Sequence, residues 1–273
     1  LAEPNDDREV AILFMNTGKE ESATLDFVDA VDRNFCRPRG HRVTWLEAVT
    51  NAPGKGPSAQ EVTFETANRT GVPFESAIAK HGIFNKAFPN CTGRLKTEPM
   101  EWWTRHLIGW EPGTYQTAIG IRADEMDRVS SKKAENHLIY PLADAGWRKA
   151  DVSRYMARFD WDLKLPGDHW GNCDACWKKS LRKLMTRAKE NPAVFEWWAE
   201  MESKHGSVHK GKLPQTAPRV FFRENRSAGD IVAAAQATNF VPYADAVHHP
   251  ELFDNLLDAG QGCGESCEIG ADE

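Results

Sequence analysis

The sequence lacks a long apolar run, and it contains only six cysteines among 273 residues. No segment approaches the roughly 20 consecutive apolar residues that cross a bilayer. Residues 1–8 also lack the basic and apolar regions of a secretory signal peptide. We therefore expect a cytoplasmic protein that has no membrane partner. In such a reducing compartment, cysteines are more typical of metal ligands or redox groups than of a disulfide framework.

The chain also lacks an excess of positive charge. Its formal net charge is −6 at pH 7, which argues against a protein that coats nucleic acid but leaves room for a local basic cleft. With 41% hydrophobic and 27% charged residues, the chain is long enough for one large core, or for a core with an appended subdomain.

Short apolar runs that alternate with helical patterns indicate the fold class. Residues 10–15 and 42–47 are typical of buried strands, and the spacing of apolar residues over 22–36 predicts a helix between them. Two further strands are predicted at 117–122 and 137–142. This order predicts an α/β protein with a mainly parallel twisted sheet, flanking helices and right-handed crossovers.

The remaining segments suggest three parts. Residues 51–74 are rich in Pro, Gly, Asn and Thr and read as a long loop over the strand ends. Beyond the predicted sheet domain, residues 1–180, helical patterns recur at 180–189, 192–205, 230–238 and 250–257. We therefore predict a helical C-terminal extension over 181–259, followed by a glycine-rich tail over 260–273 that carries Cys263 and Cys267.

The segment Gly171-Asn-Cys-Asp-Ala-Cys-Trp-Lys-Lys179 is a candidate metal site. Two cysteines three positions apart direct both sulfurs to one side, and we expect them to open a basic helix whose first N–H groups stabilise thiolates. Cys91 is the candidate third ligand. A structural zinc clamp and a functional centre both fit this spacing.

Polar residues after the first two strands mark the expected rim of a ligand site. Because ligands of parallel sheets bind beyond the carboxyl ends of the strands, Asn16, Thr17, Gly18 and Glu47 are placed there. The basic residues from Lys178 to Lys189 form either a solvated helix face or a surface that steers phosphate-bearing substrates.

Five segments resemble, in order, the motifs of one known family. They are Asn16-Thr-Gly-Lys-Glu20, Cys91-Thr-Gly-Arg-Leu-Lys-Thr-Glu-Pro-Met100, Gly120-Ile-Arg-Ala-Asp-Glu125, Pro141-Leu-Ala-Asp144 with Asp151-Val152, and Gly171-Asn-Cys-Asp-Ala-Cys176. Through these motifs the chain resembles the phosphoadenosine phosphosulfate (PAPS) reductase family of the adenine nucleotide alpha hydrolase-like superfamily. The resemblance, which runs from about Val10 to Lys179, implies a Rossmann-like sheet.

The resemblance also implies an activity, the reduction of an adenine sulfonucleotide to sulfite. A thiolate of Cys267 or Cys263 would attack the sulfur, and a thioredoxin-like partner would resolve the resulting S-sulfonate. The implied metal ligands are Cys91, Cys173 and Cys176, which would hold a four-iron four-sulfur (4Fe-4S) cluster or, alternatively, zinc. The implied nucleotide- and phosphate-binding residues are Asn16, Thr17, Gly18, Arg94, Lys96, Gly120 and Arg122.

Two departures from the family pattern leave alternatives open. The Ser-Gly-Gly-x-x-Ser pyrophosphate loop is not in the sequence, so a longer native chain supplies it or nucleotide binding is impaired. Thr92 stands where the family has a second adjacent cysteine. Either Cys263 or Cys267 then completes the ligand set, or one metal position stays open, as in tRNA-thiolating relatives.

These departures define the rival functions. The first is a sulfur transferase that uses ATP and acts on a nucleic acid, of the DNA phosphorothioation or tRNA thiolation type. The second is a metal-stapled nucleotide-binding domain without catalysis. Because members of the family often pair, a homodimer is a further open expectation.

Overall fold

The structure, a computed structural model, describes residues 8–163, 165–167, 169–171, 173–208 and 217–243. Its strands are β1 (Ile12–Asn16), β2 (Val43–Val49), β3 (Ser58–Val62), β4 (Thr117–Ala118) and β5 (Leu138–Ile139). Its α-helices are α1 (Ser22–Val31), α2 (Val72–His81), α3 (Glu98–Trp103), α4 (Pro141–Asp144), α5 (Lys149–Met156), α6 (Leu181–Glu190), α7 (Val194–His205) and α8 (Ala228–Ala235). No helix in these ranges is long and apolar enough to cross a bilayer.

Strands β1 and β2 pair in parallel within a three-stranded sheet, in which β2 is the central strand. Ile12 lies opposite Val43, and Asn16 lies opposite Glu47. Helix α1 connects the two strands, as the apolar pattern predicts, and continues through a π-helical turn to Cys36. The predicted α/β class is confirmed, and the structure is mixed α/β with packed helices and a small sheet in which only the β1–β2 pair is parallel.

Strand β3 corrects the prediction that residues 51–74 form a loop. It pairs antiparallel with β2, and Trp45 lies opposite Val62. The segment Ser58-Ala-Gln-Glu-Val62 has only one strong strand-forming residue, so its pairing comes from the exposed backbone of β2 rather than from its own side chains.

The third and fourth predicted strands do not join this sheet. Each shrinks to two residues, and β4 and β5 pair in parallel with one another as a separate two-stranded sheet. Ile121, Leu138 and Tyr140 are buried in a small cluster of their own beside it. The prediction of one continuous sheet was therefore wrong, because these short apolar runs pack locally.

Side chains of β1 alternate between two hydrophobic layers, as the two-residue period of a strand requires. Ile12 and Phe14 pack towards a cluster with Leu25 and Trp45, and the Phe14 and Trp45 rings meet edge to face at 4.8 Å. Leu13 and Met15 pack on the other face of the sheet, in a cluster that includes Leu46, Met100 and Trp103. Helices α1 and α3 thus cover opposite faces.

The largest hydrophobic cluster lies among helices rather than beside the sheet. It joins Phe74 of α2, Leu184 of α6, Trp198 of α7 and Ile231 of α8, all nearly inaccessible to solvent. The predicted helices over 180–189 and 192–205 are confirmed as α6 and α7. The predicted domain boundary at residue 180 crosses this cluster, so α6–α8 share one core with α2.

Candidate functional site

Three cysteines, two of them close in sequence and one far upstream, line one open pocket of about 460 Å³, its mouth included. They are Cys91, Cys173 and Cys176. The other lining residues are Thr17, Phe74, Thr92, Leu95, Lys96, Trp177, Lys178 and Trp198. The fold therefore brings the predicted metal ligands together, on a wall that combines thiols, cations and aromatic rings.

A π-helical turn at Gly93–Thr97 presents the Cys91 side of the pocket. It begins directly after Thr92 and runs into α3, so that Leu95 is buried and Lys96 lines the pocket. The Lys178 ammonium lies 3.5 Å from Thr92 Oγ1 across the pocket. Wide turns of this type are rare and frequently occur at functional sites.

Cys173 and Cys176 lie in consecutive turns, which corrects the prediction that they open a helix. Cys173 forms a backbone bridge with Glu20, and the Cys176 N–H donates to the Cys173 carbonyl. Helix α6 begins only at Leu181, because the Ser180 hydroxyl caps it by accepting from the Lys183 N–H. The predicted stabilisation of thiolates by the first N–H groups of a helix therefore does not apply here.

Asp174 fixes the cysteine turn to two other parts of the fold. Its carboxylate lies 2.7 Å from Lys19 Nζ and accepts a hydrogen bond of 2.9 Å from Trp198 Nε1. The Asp174 N–H donates in turn to the Lys19 carbonyl. The turn is thereby attached both to the loop after β1 and to α7.

Several cations that were predicted to face outward from α6 make internal contacts instead. Arg187 is only 3% exposed, donates to the Glu21 carboxylate at 3.0 Å and lies 3.5 Å above the Trp170 ring. Arg182 donates to the Val241 carbonyl at 3.2 Å. The reading as a fully solvated cationic face was therefore wrong, because helical spacing does not reveal long-range carboxylate and carbonyl partners.

The predicted rim residues form an internal network. Asn16 is fully buried and donates to Glu47 Oε1 at 2.7 Å and to the Asn68 carbonyl at 2.8 Å. The Gly18 N–H donates to Asn16 Oδ1. Thr17, by contrast, lines the cysteine pocket. Asn16 and Gly18 thus stabilise the loop after β1 through internal hydrogen bonds. Nucleotide binding by these residues stays a prediction.

The predicted phosphate-binding residues are divided between two places. Lys96 lines the pocket, and its ammonium lies 3.7 Å from the Glu20 carboxylate. Arg94 pairs with Glu98 at 2.6 Å and is not among the lining residues. Lys178, which the sequence placed within a basic run that is either a solvated helix face or a surface that steers phosphate-bearing substrates, also lines the pocket. Its position two residues after Cys176 was the available signal for this location.

Arg122 and Gly120 lie beside the β4–β5 sheet and do not line the cysteine pocket. Two Arg122 nitrogens contact the Asp124 carboxylate at 3.1 and 3.3 Å, and a third lies 3.3 Å from Glu125. Partial burial alone would raise the pKa of Asp124, but hydrogen bonds from Arg122 and backbone N–H groups lower it overall. The Arg122 guanidinium is thus held by protein carboxylates.

The donor set suits a soft metal, since thiolates select iron–sulfur clusters or zinc over hard cations. In the part of the chain that the structure describes, no three His, Cys, Asp or Glu side chains are grouped closely enough to hold a metal ion as they stand. Cys173 Sγ lies 3.7 Å from Thr17 Oγ1, and Cys91 Sγ lies 3.8 Å from the Pro89 carbonyl oxygen. Metal binding by all three cysteines therefore requires their sulfurs to come closer together than they lie in this structure. Cys263 and Cys267 lie outside the described residues.

Comparison with known proteins yields one relative. No family model and no solved structure matches the chain. The chain is 28% identical over 266 residues to the uncharacterized nin region protein ORF290 of Escherichia phage lambda, and the match covers 96% of this chain and 86% of the phage protein. The aligned span therefore includes both the segments that carry the three pocket cysteines and α6–α8.

Proposed function

We propose that this protein carries out sulfur chemistry at a three-cysteine metal centre, as a sulfonucleotide reductase of the PAPS reductase type. The observation that carries the proposal is that Cys91, Cys173 and Cys176 line one pocket together with Lys96 and Lys178. Soft ligands next to two cations suit a site that receives an anionic, sulfur-bearing group.

The fold proposed with this function is the Rossmann-like one of the adenine nucleotide alpha hydrolase-like superfamily. The unit β1–α1–β2, with parallel strands and a buried Asn16 at the end of β1, supports it. In such a fold, an adenine sulfonucleotide would lie beyond the carboxyl ends of these strands, on the side of the Thr17 turn.

Cys91, Cys173 and Cys176 would hold the metal group. A 4Fe-4S cluster would supply a redox-active, electrophilic centre, whereas zinc would supply a closed structural one once Cys263 or Cys267 completed its four ligands. Lys96 and Lys178 would bind the sulfate or phosphate oxygens as point charges. The rings of Phe74, Trp177 and Trp198 would exclude water and so strengthen these charge interactions.

The proposed chemical step uses a thiolate from the C-terminal tail, Cys267 or Cys263. The thiolate forms a bond to the sulfur of the sulfonucleotide while the sulfur–oxygen bond to the phosphate breaks, and the nucleotide leaves with its bonding electrons. A thioredoxin-like dithiol then attacks the S-sulfonate cysteine and becomes a disulfide, releasing sulfite and restoring the enzyme thiol. Both tail cysteines lie outside the described residues.

A second candidate is a sulfur transferase that acts on a nucleic acid with ATP as cosubstrate. The specific observation in its favour is Thr92, which lines the pocket where the family has a further cysteine. A fourth metal position beside Thr92 would be open to an exogenous sulfur ligand. For this candidate we expect affinity for DNA or tRNA that falls steeply with salt.

The first test of the main proposal measures the metal and acid-labile sulfide content of the protein. Protein purified without oxygen should contain iron with acid-labile sulfide, or zinc. The variants C91A, C173A and C176A should each lose most of the bound metal. The matched control is C36A, because Cys36 is a buried cysteine in the cluster around α1 and β2. Equal metal content in all four variants, or none in the natural protein, would contradict the proposed centre.

Activity separates the candidates. The reductase should release sulfite from adenylyl sulfate or its 3′-phosphorylated form with a thioredoxin-like reductant, and the double variant C263S/C267S should not. Sulfur incorporation into a nucleic acid without sulfite release would favour the transferase. Bound metal without affinity for any adenine nucleotide would point to the non-catalytic domain.

A further inference from the structure

Lys179 is one of the most deeply buried side chains, although it is a lysine. It is 1% exposed, and its ammonium donates to the carbonyl oxygens of His169 at 2.8 Å, Cys173 at 3.3 Å and Asp174 at 3.5 Å. Burial of an ammonium is costly unless its donors are satisfied. The observed contacts show that this cost is offset within a single loop.

The three acceptors lie on both sides of the position where the cysteine turn begins. The His169 carbonyl precedes Cys173, and the other two belong to Cys173 and its neighbour. Lys179 itself follows Cys176, and its backbone N–H donates to the Cys176 carbonyl. One residue therefore holds the approach to the turn, the first cysteine and the second cysteine in a fixed arrangement.

The elements around this loop reinforce the arrangement. His169 Nε2 lies 2.8 Å from the Glu190 carboxylate, which also accepts from Trp170 Nε1 at 3.2 Å. Asp174 is held by Lys19 and Trp198, as described above. Lys179 is distinct within this network because it contacts the backbone of a pocket cysteine directly.

We propose that Lys179 is the positioning residue of the cysteine centre. This role of Lys179 rests on the proposed function, since it presumes that Cys173 and Cys176 hold a metal group. By binding the Cys173 and Asp174 carbonyls, the ammonium fixes the backbone of the turn that carries both pocket cysteines. Groups that orient metal ligands in this way contribute strongly to affinity, and their loss typically weakens metal binding about 10- to 100-fold.

The experiment compares metal retention in the natural protein with that in K179M, K179Q and K179R. Methionine retains the length of the stem without donors, and glutamine is too short to reach all three carbonyls. Arginine retains a charged donor. K189M is the matched control, because Lys189 lies exposed on α6, the helix that follows Lys179 in the chain. Each protein is purified without oxygen, and the loss of its metal to excess EDTA is followed by visible absorbance and metal analysis.

We expect the metal to leave K179M and K179Q roughly 10 to 100 times faster than the natural protein, with a changed visible or substituted-cobalt spectrum. K179R should recover much of the retention, and K189M should match the natural protein. A purely structural role would lower the thermal stability of the metal-free protein and leave the spectrum and the rate of metal loss unchanged. Circular dichroism identifies the folded variants.

Natural retention in a folded K179M or K179Q protein would overturn the role of Lys179 and leave the proposed centre intact. If K179M does not fold, K179Q gives the decision by the same criterion. If both fail to fold, folded K179R gives the decision. Metal loss several times faster than in the natural protein, with an altered spectrum, would support the role, and a natural rate and spectrum would overturn it, because a guanidinium cannot reproduce all three contacts of the ammonium. Absence of metal from the natural protein would overturn the proposed function, and this inference with it.

Discussion

Thr17 Oγ1 lies 3.7 Å from Cys173 Sγ, although 156 positions separate the two residues. The same hydroxyl lies 2.9 Å from the Glu20 carboxylate. The end of β1 is thus in direct contact with the cysteine turn, and substitutions at either residue should affect both the fold and the candidate site.

The substitution T17V removes this hydroxyl while nearly conserving volume. Because Thr17 is 1% exposed, Glu20 would lose a buried donor, and we expect the free energy of unfolding to fall by about 1–3 kcal/mol. Urea unfolding measures the change. T114V is the control, since Thr114 is exposed and its hydroxyl contacts only a local carbonyl. Equal effects of the two substitutions would contradict the importance of the Thr17 contact.

The substitution D174N should weaken the attachment of the cysteine turn to Lys19. The two side chains are only 16% and 11% exposed, so loss of the pair should cost about 1–3 kcal/mol. The double-mutant cycle with K19M isolates their coupling. The exposed pair Lys204–Glu200 gives the comparison, and K204M is expected to change stability much less than D174N does, because solvent screens an exposed ion pair. A coupling energy near zero for Asp174 and Lys19 would count against the attachment.

Stability should depend on pH through Glu75, which joins α2 to α7. The hydrogen bond from His205, at 3.2 Å, lowers the pKa of Glu75 below its usual value of 4.5. A carboxyl whose pKa is lowered by folding contributes stability above the unfolded value and loses it as the pH falls through the folded value. E75Q should therefore flatten the loss of stability below about pH 4.5. Parallel pH curves for both proteins would disprove the contribution.

Gly18 should tolerate alanine less well than Gly40 does. Both have positive φ, +82° and +77°, so both substitutions carry a backbone cost of about 1 kcal/mol. A Cβ on Gly18 would lie 2.6 Å from Asn68 Oδ1 and 3.0 Å from the Gly71 nitrogen, whereas at Gly40 nothing lies within 4 Å. We expect G18A to lower the free energy of unfolding more than G40A does in the same denaturation experiment. The reverse order would contradict the close approach of these loops.

The elements predicted correctly from the sequence are those whose own residues show a strand or helix pattern. The unit β1–α1–β2 has apolar runs and helical spacing, and α6 and α7 have clear amphipathic patterns. β3 escaped prediction because backbone pairing at an edge leaves little trace in side chains. β4 and β5 were predicted too long, since short apolar runs also form small local clusters.

The candidate site was predictable only in part, for a similar reason. Spacing identified Cys173 and Cys176, and the resemblance to a family added Cys91. The buried roles of Lys179 and Arg187 were missed, because their partners lie on other segments: the Arg187–Glu21 pair spans 166 positions. A charged residue in a helical pattern is ordinarily read as solvated, and only the folded chain reveals its partner.

Trp198 has two roles at once, as a fully buried core residue and as a wall of the cysteine pocket. Its indole N–H also holds Asp174. A genetic screen for loss of the proposed activity would therefore recover substitutions of α7 core residues together with those of the cysteines. Redesign of the pocket for another ligand must begin by repacking the helical core, because the two share the same surface.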